Sequence, residues 1–257
     1  MRFCVLGSGS SGNSVWAEEA GSAIVVDNGF TLSDFRRRAA IRGLAPGRIA
    51  GILLTHEHVD HQRGVGHLSR ACRCAVYSSP DTLEAAVSRE ERPYHAAMKL
   101  VPGNPMRIGP FEVTALAGSH DSVDCQIYVL RTGGASLGIA TDLGVVPEAV
   151  LREFEGLSAA VLEFNHDPDM LDRGRYPIFL KRRIRGPRGH LSNWEGAEFL
   201  SRINHPGLKC VVLGHISRNN NRPELALAAA RTAVTGGPGD PRIEVASHDV
   251  PTPIIEI

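Results

Sequence analysis

Apolar residues occur along this chain in short runs that end in glycine, proline or small polar residues. Such runs are typical of buried strands, whereas apolar positions three to four residues apart over a longer stretch indicate helices. We predict strands at Arg2–Leu6, Ser14–Ala17, Ser22–Val26, Gly51–Leu54, Cys74–Tyr77, Phe111–Leu116, Gln126–Arg131, Ala135–Ala140, Ala159–Glu163, Lys209–Leu213 and Arg242–Ala246. Helices are predicted at Ser33–Arg42, Gln62–Ala71, Asp81–Ser88, Pro147–Phe154, Tyr176–Ile184, Trp194–Ile203 and Pro223–Val234. With no repeat or linker between them, these elements predict one mixed α/β domain over residues 1–257.

A histidine-rich motif, H-x-H-x-D-H, directly follows the apolar run Gly51–Leu54. His56 and His58 are two residues apart at the end of a strand, so both rings can point the same way. Asp60 and His61 lie where a helix could begin and approach the same point from another backbone direction. Imidazole and carboxylate ligands suit zinc, iron or manganese. The motif therefore predicts a metal site, and a catalytic one.

Three further residues that could bind a metal follow predicted strands: His120, Asp142 and His215. Any one of them alone would more often be a solvated residue at a strand end. Together with the first motif, they are typical of a sheet edge lined with metal ligands, and they could complete a site for two metals.

The segment Gly7–Gly12 matches the dinucleotide-binding pattern G-x-G-x-x-G, with Asp27 further along the chain. That fold needs a helix to begin in the glycine loop. Here another β-rich run, Ala23–Val26, follows too soon for such a helix. We therefore predict a hairpin whose glycine loop lies beside the metal site.

Composition limits the compartment and the partners. The chain has 257 residues, is 42% hydrophobic and carries 28 basic and 28 acidic residues. The overall charge therefore does not favour nucleic-acid binding, but it does not exclude a local basic channel. No segment could span a bilayer or form a signal-peptide core, and no protein partner can be inferred. The cysteines, which include no C-x-x-C pair, indicate a reducing compartment and hence a soluble cytoplasmic protein: Cys4, Cys72, Cys74, Cys125 and Cys210.

The metal motifs resemble those of the metallo-β-lactamase superfamily over most of the chain. The resemblance implies an α/β fold of the αββα four-layer type with two divalent metals, zinc or manganese, with iron as a further option. It assigns one metal to His56, His58 and His120 and the second to Asp60, His61 and His215. Asp142 would bridge both metals, and Asp27 would support the histidine loop by hydrogen bonds.

Within the superfamily, Asp142 disfavours β-lactamase activity, because true β-lactamases usually have cysteine there or no bridging residue. Four further segments resemble the YycJ/WalJ branch, which is described as 5′-to-3′ exonucleases of double-stranded DNA: Gly7–Ser14, Leu162–Asp167, Gly189–Asn193 and Leu213–Asn221. The pair of His190 and His215 also resembles that of ribonuclease Z-type and phosphoribosyl cyclic phosphodiesterases. The resemblance implies a two-metal phosphodiester hydrolase, and a DNA 5′-to-3′ exonuclease in particular.

In the predicted mechanism, a metal-bridging hydroxide attacks phosphorus in line. Asp60 orients the hydroxide, and His190 contacts the scissile phosphate or protonates the leaving oxygen. His166 does related work, although either of these histidines could instead form a helix-start or turn hydrogen bond. Five cations before His190 form a candidate track for a phosphate backbone, or else a solvated helix face: Lys181, Arg182, Arg183, Arg185 and Arg188. The predicted substrate-binding residues are Lys181, Arg182 and Arg185 of this track, with Asn219 and Asn220, which could instead shape a turn.

Two other functions stay open from the sequence. The site could hydrolyse a thioester, as in the glyoxalase II type, or a small cyclic phosphate. It could also be a non-catalytic metal-binding module. DNA and RNA, and exonucleolytic and endonucleolytic cleavage, are not distinguished by the residues.

Overall fold

The computed structural model describes residues 1–87, 94–234 and 239–257. The strands are β1 (Arg2–Gly7), β2 (Ser14–Glu19), β3 (Ser22–Val26), β4 (Ile49–Leu53), β5 (Ala75–Ser78), β6 (Ala96–Lys99), β7 (Met106–Ile108), β8 (Phe111–Ala117), β9 (Gln126–Thr132), β10 (Ala135–Ala140), β11 (Ala159–Glu163), β12 (Cys210–Gly214), β13 (Arg242–Val245) and β14 (Ile255–Glu256). The helices are α1 (Leu32–Ile41), α2 (Val59–Gln62), α3 (Val65–Cys72), α4 (Pro80–Val87), α5 (Glu148–Phe154), α6 (Pro168–Arg173), α7 (Ile178–Arg185), α8 (Asn193–Ile203) and α9 (Pro223–Thr232).

The strands of the described residues form two seven-stranded sheets. The order in the first sheet is β14-β1-β2-β3-β4-β5-β6, and in the second it is β13-β12-β11-β10-β9-β8-β7. In each sheet one half is antiparallel and the other parallel, with the change at β3 in the first sheet and at β10 in the second. Parallel strands need crossover connections, and these supply the outer helices.

Buried apolar side chains form three clusters, one between the two sheets and one between each sheet and its outer helices. Between the two sheets, Phe3 and Val5 of the first pack with Phe111 and Tyr128 of the second. Helices α1 and α3 cover the outer face of the first sheet, and α5, α8 and α9 cover that of the second. This is the predicted αββα arrangement, and each sheet is buried on both faces because it has a helical layer on one side and a sheet on the other.

The glycine-rich segment after β1 turns directly into β2, which pairs antiparallel with β1. Gly9 and Gly12 lie at φ 136° and 154°, in the region that favours glycine. The predicted hairpin is therefore confirmed, and no helix begins in this loop.

The helix predicted at Gln62–Ala71 is two helices, α2 and α3, separated at Gly64. A Cβ atom on Gly64 would lie 1.9 Å from the carbonyl oxygen of Phe30, so only glycine permits this approach. The prediction was wrong here because tertiary contact, which the local pattern does not encode, determines the break.

Several short elements were not predicted, namely β6, β7, β14 and α6. They have between two and six residues, too few for a clear period. The last residue of the predicted helix Asp81–Ser88 lies outside the described residues. No helix among residues 1–87, 94–234 and 239–257 is long and apolar enough to cross a membrane.

Candidate metal centre and active site

The predicted metal ligands all lie beyond strand ends, either on loops or in the short helix α2. The loop after β4 carries the H-x-H-x-D-H motif, and α2 begins within it and includes Asp60 and His61. His120, Asp142 and His215 follow β8, β10 and β12 of the opposite sheet. The site therefore joins the two sheets at one edge of the sandwich, with ligands from both.

The structure brings all seven predicted ligands together. In each of three groups, the potential ligand atoms lie within 4.8 Å of one another. The groups are His56, His58 and His120; Asp60, His61 and His215; and His56, His61 and Asp142. The first two correspond to the two ligand sets that the family resemblance implies.

Asp142 lies between the two halves of the cluster. One carboxylate oxygen is 3.2 Å from Nε2 of His61 and the other is 3.3 Å from Nε2 of His215. The same carboxylate is 3.9 Å from Nε2 of His120. A carboxylate with ligands of both sets around it has the position that a metal-bridging ligand needs.

Unsatisfied buried atoms show that the cluster fits cations. Nε2 of His56, Oδ2 of Asp142 and Nε2 of His215 are buried and form no hydrogen bond within the described part of the chain. A buried polar atom without a partner costs about 1–3 kcal/mol. Imidazole nitrogens and a carboxylate oxygen turned toward one centre are the donors that a divalent metal takes. The donor set therefore fits divalent metal ions.

Three residues near the centre have left-handed backbone conformations although none is glycine: Asp27 at φ 59°, Asp142 at φ 60° and His215 at φ 53°. Each lies just beyond the end of a strand, where this conformation turns the side chain off the strand direction. A non-glycine residue in this region costs about 1–2 kcal/mol. Such strain, repeated at three strand ends, is typical of a functional site.

The charges of the cluster shift the pKa values of its histidines in opposite directions. Burial, reinforced by the charge of His61, holds the pKa of His56 well below its usual range. Burial also opposes protonation of His215, but Asp142, Asp60 and Glu163 outweigh it and raise the pKa of His215 to about 10. Without metal, a proton on His215 balances the neighbouring carboxylates, so metal binding at this ring must displace that proton.

Asp27 supports the histidine loop through hydrogen bonds to Thr55 and His61. Its carboxylate accepts hydrogen bonds from the backbone N–H and the hydroxyl of Thr55, each at 2.8 Å. It also lies 2.8 Å from Nδ1 of His61, which leaves Nε2 of that ring facing the cluster. Carboxylates that fix the ring of a ligating histidine in this way raise its basicity as a ligand.

The glycine loop contacts the centre through two polar side chains. Nδ2 of Asn13 lies 3.3 Å from Oδ2 of Asp60 and 3.0 Å from Nε2 of His61. Oγ of Ser8 accepts a hydrogen bond from the backbone N–H of His215 at 2.8 Å. The loop thus lies beside the cluster, as the sequence predicted, and it orients ligands of one set.

Glu163, at the end of β11, was not predicted as a site residue. Its buried carboxylate accepts a hydrogen bond from the backbone N–H of Leu143 at 2.7 Å. The same side chain lies 2.8 Å from Nδ1 of His190 and 3.2 Å from Nδ1 of His215. The sequence did contain a signal for this role, because Glu163 is the acidic last residue of an otherwise apolar strand. A charged residue buried at such a position is costly unless it has a partner.

His190 borders a cavity of about 200 Å³ that opens next to the cluster. Since Glu163 holds Nδ1 of His190, Nε2 is the nitrogen left for a substrate. The other wall is formed by α7 and the segment before it, through Tyr176, Leu180 and Arg183. Arg183, which belongs to the predicted track of cations but was not selected from it as a substrate-binding residue, is ion-paired with Asp121 at the cavity rim.

The predicted substrate-binding residues lie mostly away from this cavity. Lys181 donates a hydrogen bond to the backbone carbonyl of Asp172 in α6 at 2.7 Å. Arg185 forms an ion pair with the carboxylate of Asp172 at 2.5 Å. Arg182 is exposed and does not line the cavity. The reason is the rotation of side chains about the helix axis. Among the cations of α7, Arg183 lies on the side of the helix that faces the cavity.

The remaining predicted residues have other surroundings. Asn219 donates a hydrogen bond to the hydroxyl of Tyr176 at 2.8 Å, and through it is next to the cavity. Asn220 is buried, and its carbonyl accepts a hydrogen bond from the backbone N–H of Asp167. His166 is 2% exposed and is not part of the cavity lining. Its catalytic role stays a prediction that this placement does not favour.

Comparison with known proteins agrees with the motifs. The beta-lactamase superfamily domain matches residues 23–216. The chain belongs to the metallo-β-lactamase superfamily. Exodeoxyribonuclease WalJ of Streptococcus pneumoniae is 32% identical over 264 residues, covering 100% of this chain and 98% of the relative. Exodeoxyribonuclease YycJ of Bacillus anthracis is 32% identical over 227 residues, covering 88% of this chain and 86% of the relative. The predicted membership of the superfamily, and of its YycJ/WalJ branch, is confirmed.

Solved structures of the superfamily share the fold over the whole chain. The metallo-β-lactamase fold protein YhfI from Bacillus subtilis has a TM-score of 0.75 at 15% identity, covering 98% of both chains. The short form of human tRNase Z has a TM-score of 0.68 at 17% identity and full coverage of both chains. These likenesses establish the αββα sandwich alone, because identity is low.

Proposed function

We propose that this protein is a two-metal phosphodiester hydrolase that degrades DNA as a 5′-to-3′ exonuclease. The observation that carries the proposal is the complete ligand cluster beside a cavity bordered by His190 and Arg183. The relatives of the same branch, which match the chain over nearly their full length, are named exodeoxyribonucleases.

Two divalent cations, zinc or manganese, would be held by the two ligand sets and by Asp142. Such cations would lower the pKa of a bound water and offset negative charge on the phosphate. Asp27, Thr55 and Asn13 hold His61 and Asp60 in place, so the cluster is organised before the substrate arrives.

Asp60 is suited to orient the attacking water. Its side chain is less buried than the other ligands of its set, with 22% exposure against 0% for His61 and 4% for His215. One of its oxygens is fixed by Asn13, 3.3 Å away, and lies 3.7 Å from Nε2 of both histidines. A carboxylate at this position can accept a proton from the water as it attacks.

His190 is suited to the leaving group. The Glu163 carboxylate accepts a hydrogen bond from Nδ1–H of His190 and so fixes the ring with Nε2 left for the substrate. From the cavity wall, the doubly protonated ring can donate Nε2–H to the phosphate or to the departing 3′ oxygen. Glu163 thus acts as a positioning residue behind His190.

Digestion of a short linear duplex, labelled at either its 5′ or its 3′ end, tests the proposal. The metal-loaded protein should release labelled mononucleotides from the 5′ label first, and His215→Ala and Asp60→Ala should lose at least about a hundredfold in rate. A glyoxalase-type thioester and bis(p-nitrophenyl) phosphate are run in parallel. Cleavage of the thioester without cleavage of DNA would overturn the nuclease proposal.

A further inference from the structure

Helix α7 has one face toward the cavity and another toward solvent. Leu180, Arg183 and Ile184 line the cavity together with His190 and His215. None of the residues of α7 is buried. The helix therefore stands at the mouth of the active site as an exposed wall.

The exposed face of α7 begins with two large apolar residues. Phe179 is 73% exposed and Ile178 is 69% exposed. Arg183 lies four positions after Phe179 in the helix, so the two side chains are neighbours on one side of it. A chain that leaves the cavity past Arg183 would next meet the ring of Phe179.

The surroundings of this face are strongly basic. Residues 167–190 contain seven lysines and arginines against three aspartates, in a chain whose net charge is zero. The side chains of Arg175 and Arg182 form no hydrogen bond or ion pair with any residue the structure describes, and Arg182 lies three positions after Phe179 on the same side of α7. An exposed aromatic ring next to unpaired guanidinium groups is the combination that binds single-stranded nucleic acid, because bases stack on the ring while cations contact the phosphates.

We propose that the exposed face of α7 binds an unpaired DNA strand, with Phe179 stacked against the base of a nucleotide just outside the cavity and Arg182 at a phosphate. The inference rests on the proposed nuclease function and extends it to a substrate class, a single-stranded end or overhang. A paired base inside a duplex does not expose its face, so stacking on Phe179 requires the strand to be unpaired at that nucleotide. The cavity, at about 200 Å³, is smaller than the roughly 300–1,000 Å³ of typical small-ligand pockets, so it does not admit a duplex.

The test compares a long and a short substrate in the metal-loaded protein. The long substrate is a duplex with a 5′ single-stranded overhang, and the short one is the p-nitrophenyl ester of thymidine monophosphate, which reaches only the cavity. For Phe179→Ala we expect KM for the overhang substrate to rise at least about fivefold, while kcat/KM for the ester stays within about twofold. Phe179→Trp should restore the lower KM.

Trp194→Ala is the matched control, since Trp194 is 75% exposed on α8 and does not line the cavity. It should leave both substrates unaffected. Arg182→Ala should lower the slope of log KM against log salt concentration by about one. 2-Aminopurine placed at the nucleotide next to the terminal one should be quenched by the wild type and markedly less by Phe179→Ala.

The outcomes separate the two proposals. If the wild type degrades DNA but Phe179→Ala keeps an unchanged KM and full 2-aminopurine quenching, the α7 inference is overturned and the nuclease function stands. A loss of equal size on the overhang and on the ester would also overturn it, because that loss would arise in the cavity. If the wild type degrades no DNA at all, the proposed function fails, and the inference fails with it.

Discussion

Individual residues of the centre are held by partners that lie outside the predicted ligand set. Glu163 is the clearest case, because one buried carboxylate contacts both His190 and His215. Burial raises the pKa of this carboxyl, and the charge and hydrogen bond of His190 outweigh burial and lower it. Glu163 therefore stays ionised and can fix the orientation of His190.

Replacement of Glu163 by glutamine tests this positioning role. Glu163→Gln keeps the shape of the side chain and removes the charge, so we expect kcat to fall about 10- to 100-fold with KM little changed. The pH–rate profile should also shift, because His190 loses the carboxylate beside it. His190→Ala serves as the reference, with an expected loss of about 10²–10⁴ in kcat. Equal pH profiles for wild type and Glu163→Gln would contradict the role.

His166 supports a prediction about stability at low pH. Burial lowers the pKa of His166 from 6.5 to about 4. The folded state thus favours the neutral ring, so the contribution is complete above pH 6.5 and is lost as the pH falls toward 4. The loss amounts to about 3 kcal/mol at most. Urea unfolding of the wild type and of His166→Asn at pH 4.5 and pH 7 measures it, and the difference between the two pH values should be smaller in the variant.

At the scale of elements, close backbone approach at Gly64 shapes the ligand loop. Its N–H donates a hydrogen bond to the carbonyl of Asn28 at 2.8 Å, and the Asn28 N–H donates to the carbonyl of His61. The break between α2 and α3 thus connects the segment after β3 to the histidine loop. Phe30, next to this segment, packs against the guanidinium of Arg38 at 4.0 Å.

Gly64→Ala should disturb this connection. The added methyl group would overlap the Phe30 carbonyl, so we expect a loss of about 1–3 kcal/mol in unfolding free energy and weaker metal binding. Gly133→Ala is the control, because a Cβ there has no neighbour within 4 Å. Thermal unfolding and metal titration of the two variants would refute the account if both behaved like the wild type.

The sequence was informative about elements wherever one period repeated over a strand or helix. The strand at Ala159–Glu163 and the one at Ser22–Val26 have the predicted bounds. Short edge strands and the Gly64 break depend on neighbours distant in the chain. Arg183 could not be distinguished from Lys181 or Arg185 because the sequence shows a run of cations without the rotation of the helix about the cavity.

For the whole molecule, metal binding should link the two sheets. The loop after β4 belongs to the first sheet, whereas His120, Asp142 and His215 belong to the second. The residues that cluster here could be predicted from sequence because the histidine motif and His120, Asp142 and His215 all follow apolar runs. Their outer partners could not, since Glu163, Asn13 and Ser8 show their role only when the two sheets are packed.

Removal of metal should therefore destabilise the fold. A ligand at one hundred times its Kd stabilises by about 2.7 kcal/mol per site, or about 5 kcal/mol for two sites, so saturation with metal should raise the Tm by about 10–20 °C over chelated protein. The increase should be greater at pH 8 than at pH 6, because fewer protons compete for the histidine ligands. Calorimetry of His215→Ala should show a smaller increase, and equal increases in both proteins would contradict the assigned ligands.

The most direct measurement of the central claim is a titration of metal-free protein with zinc or manganese, following both bound metal and release of nucleotide from 5′-labelled duplex. The account predicts that activity reaches its maximum near two metal ions per chain and that His56→Ala and His215→Ala do not reach it at any ratio. Full activity in chelated protein, or wild-type behaviour of these variants, would contradict a dinuclear centre built from the strand-end histidines and aspartates.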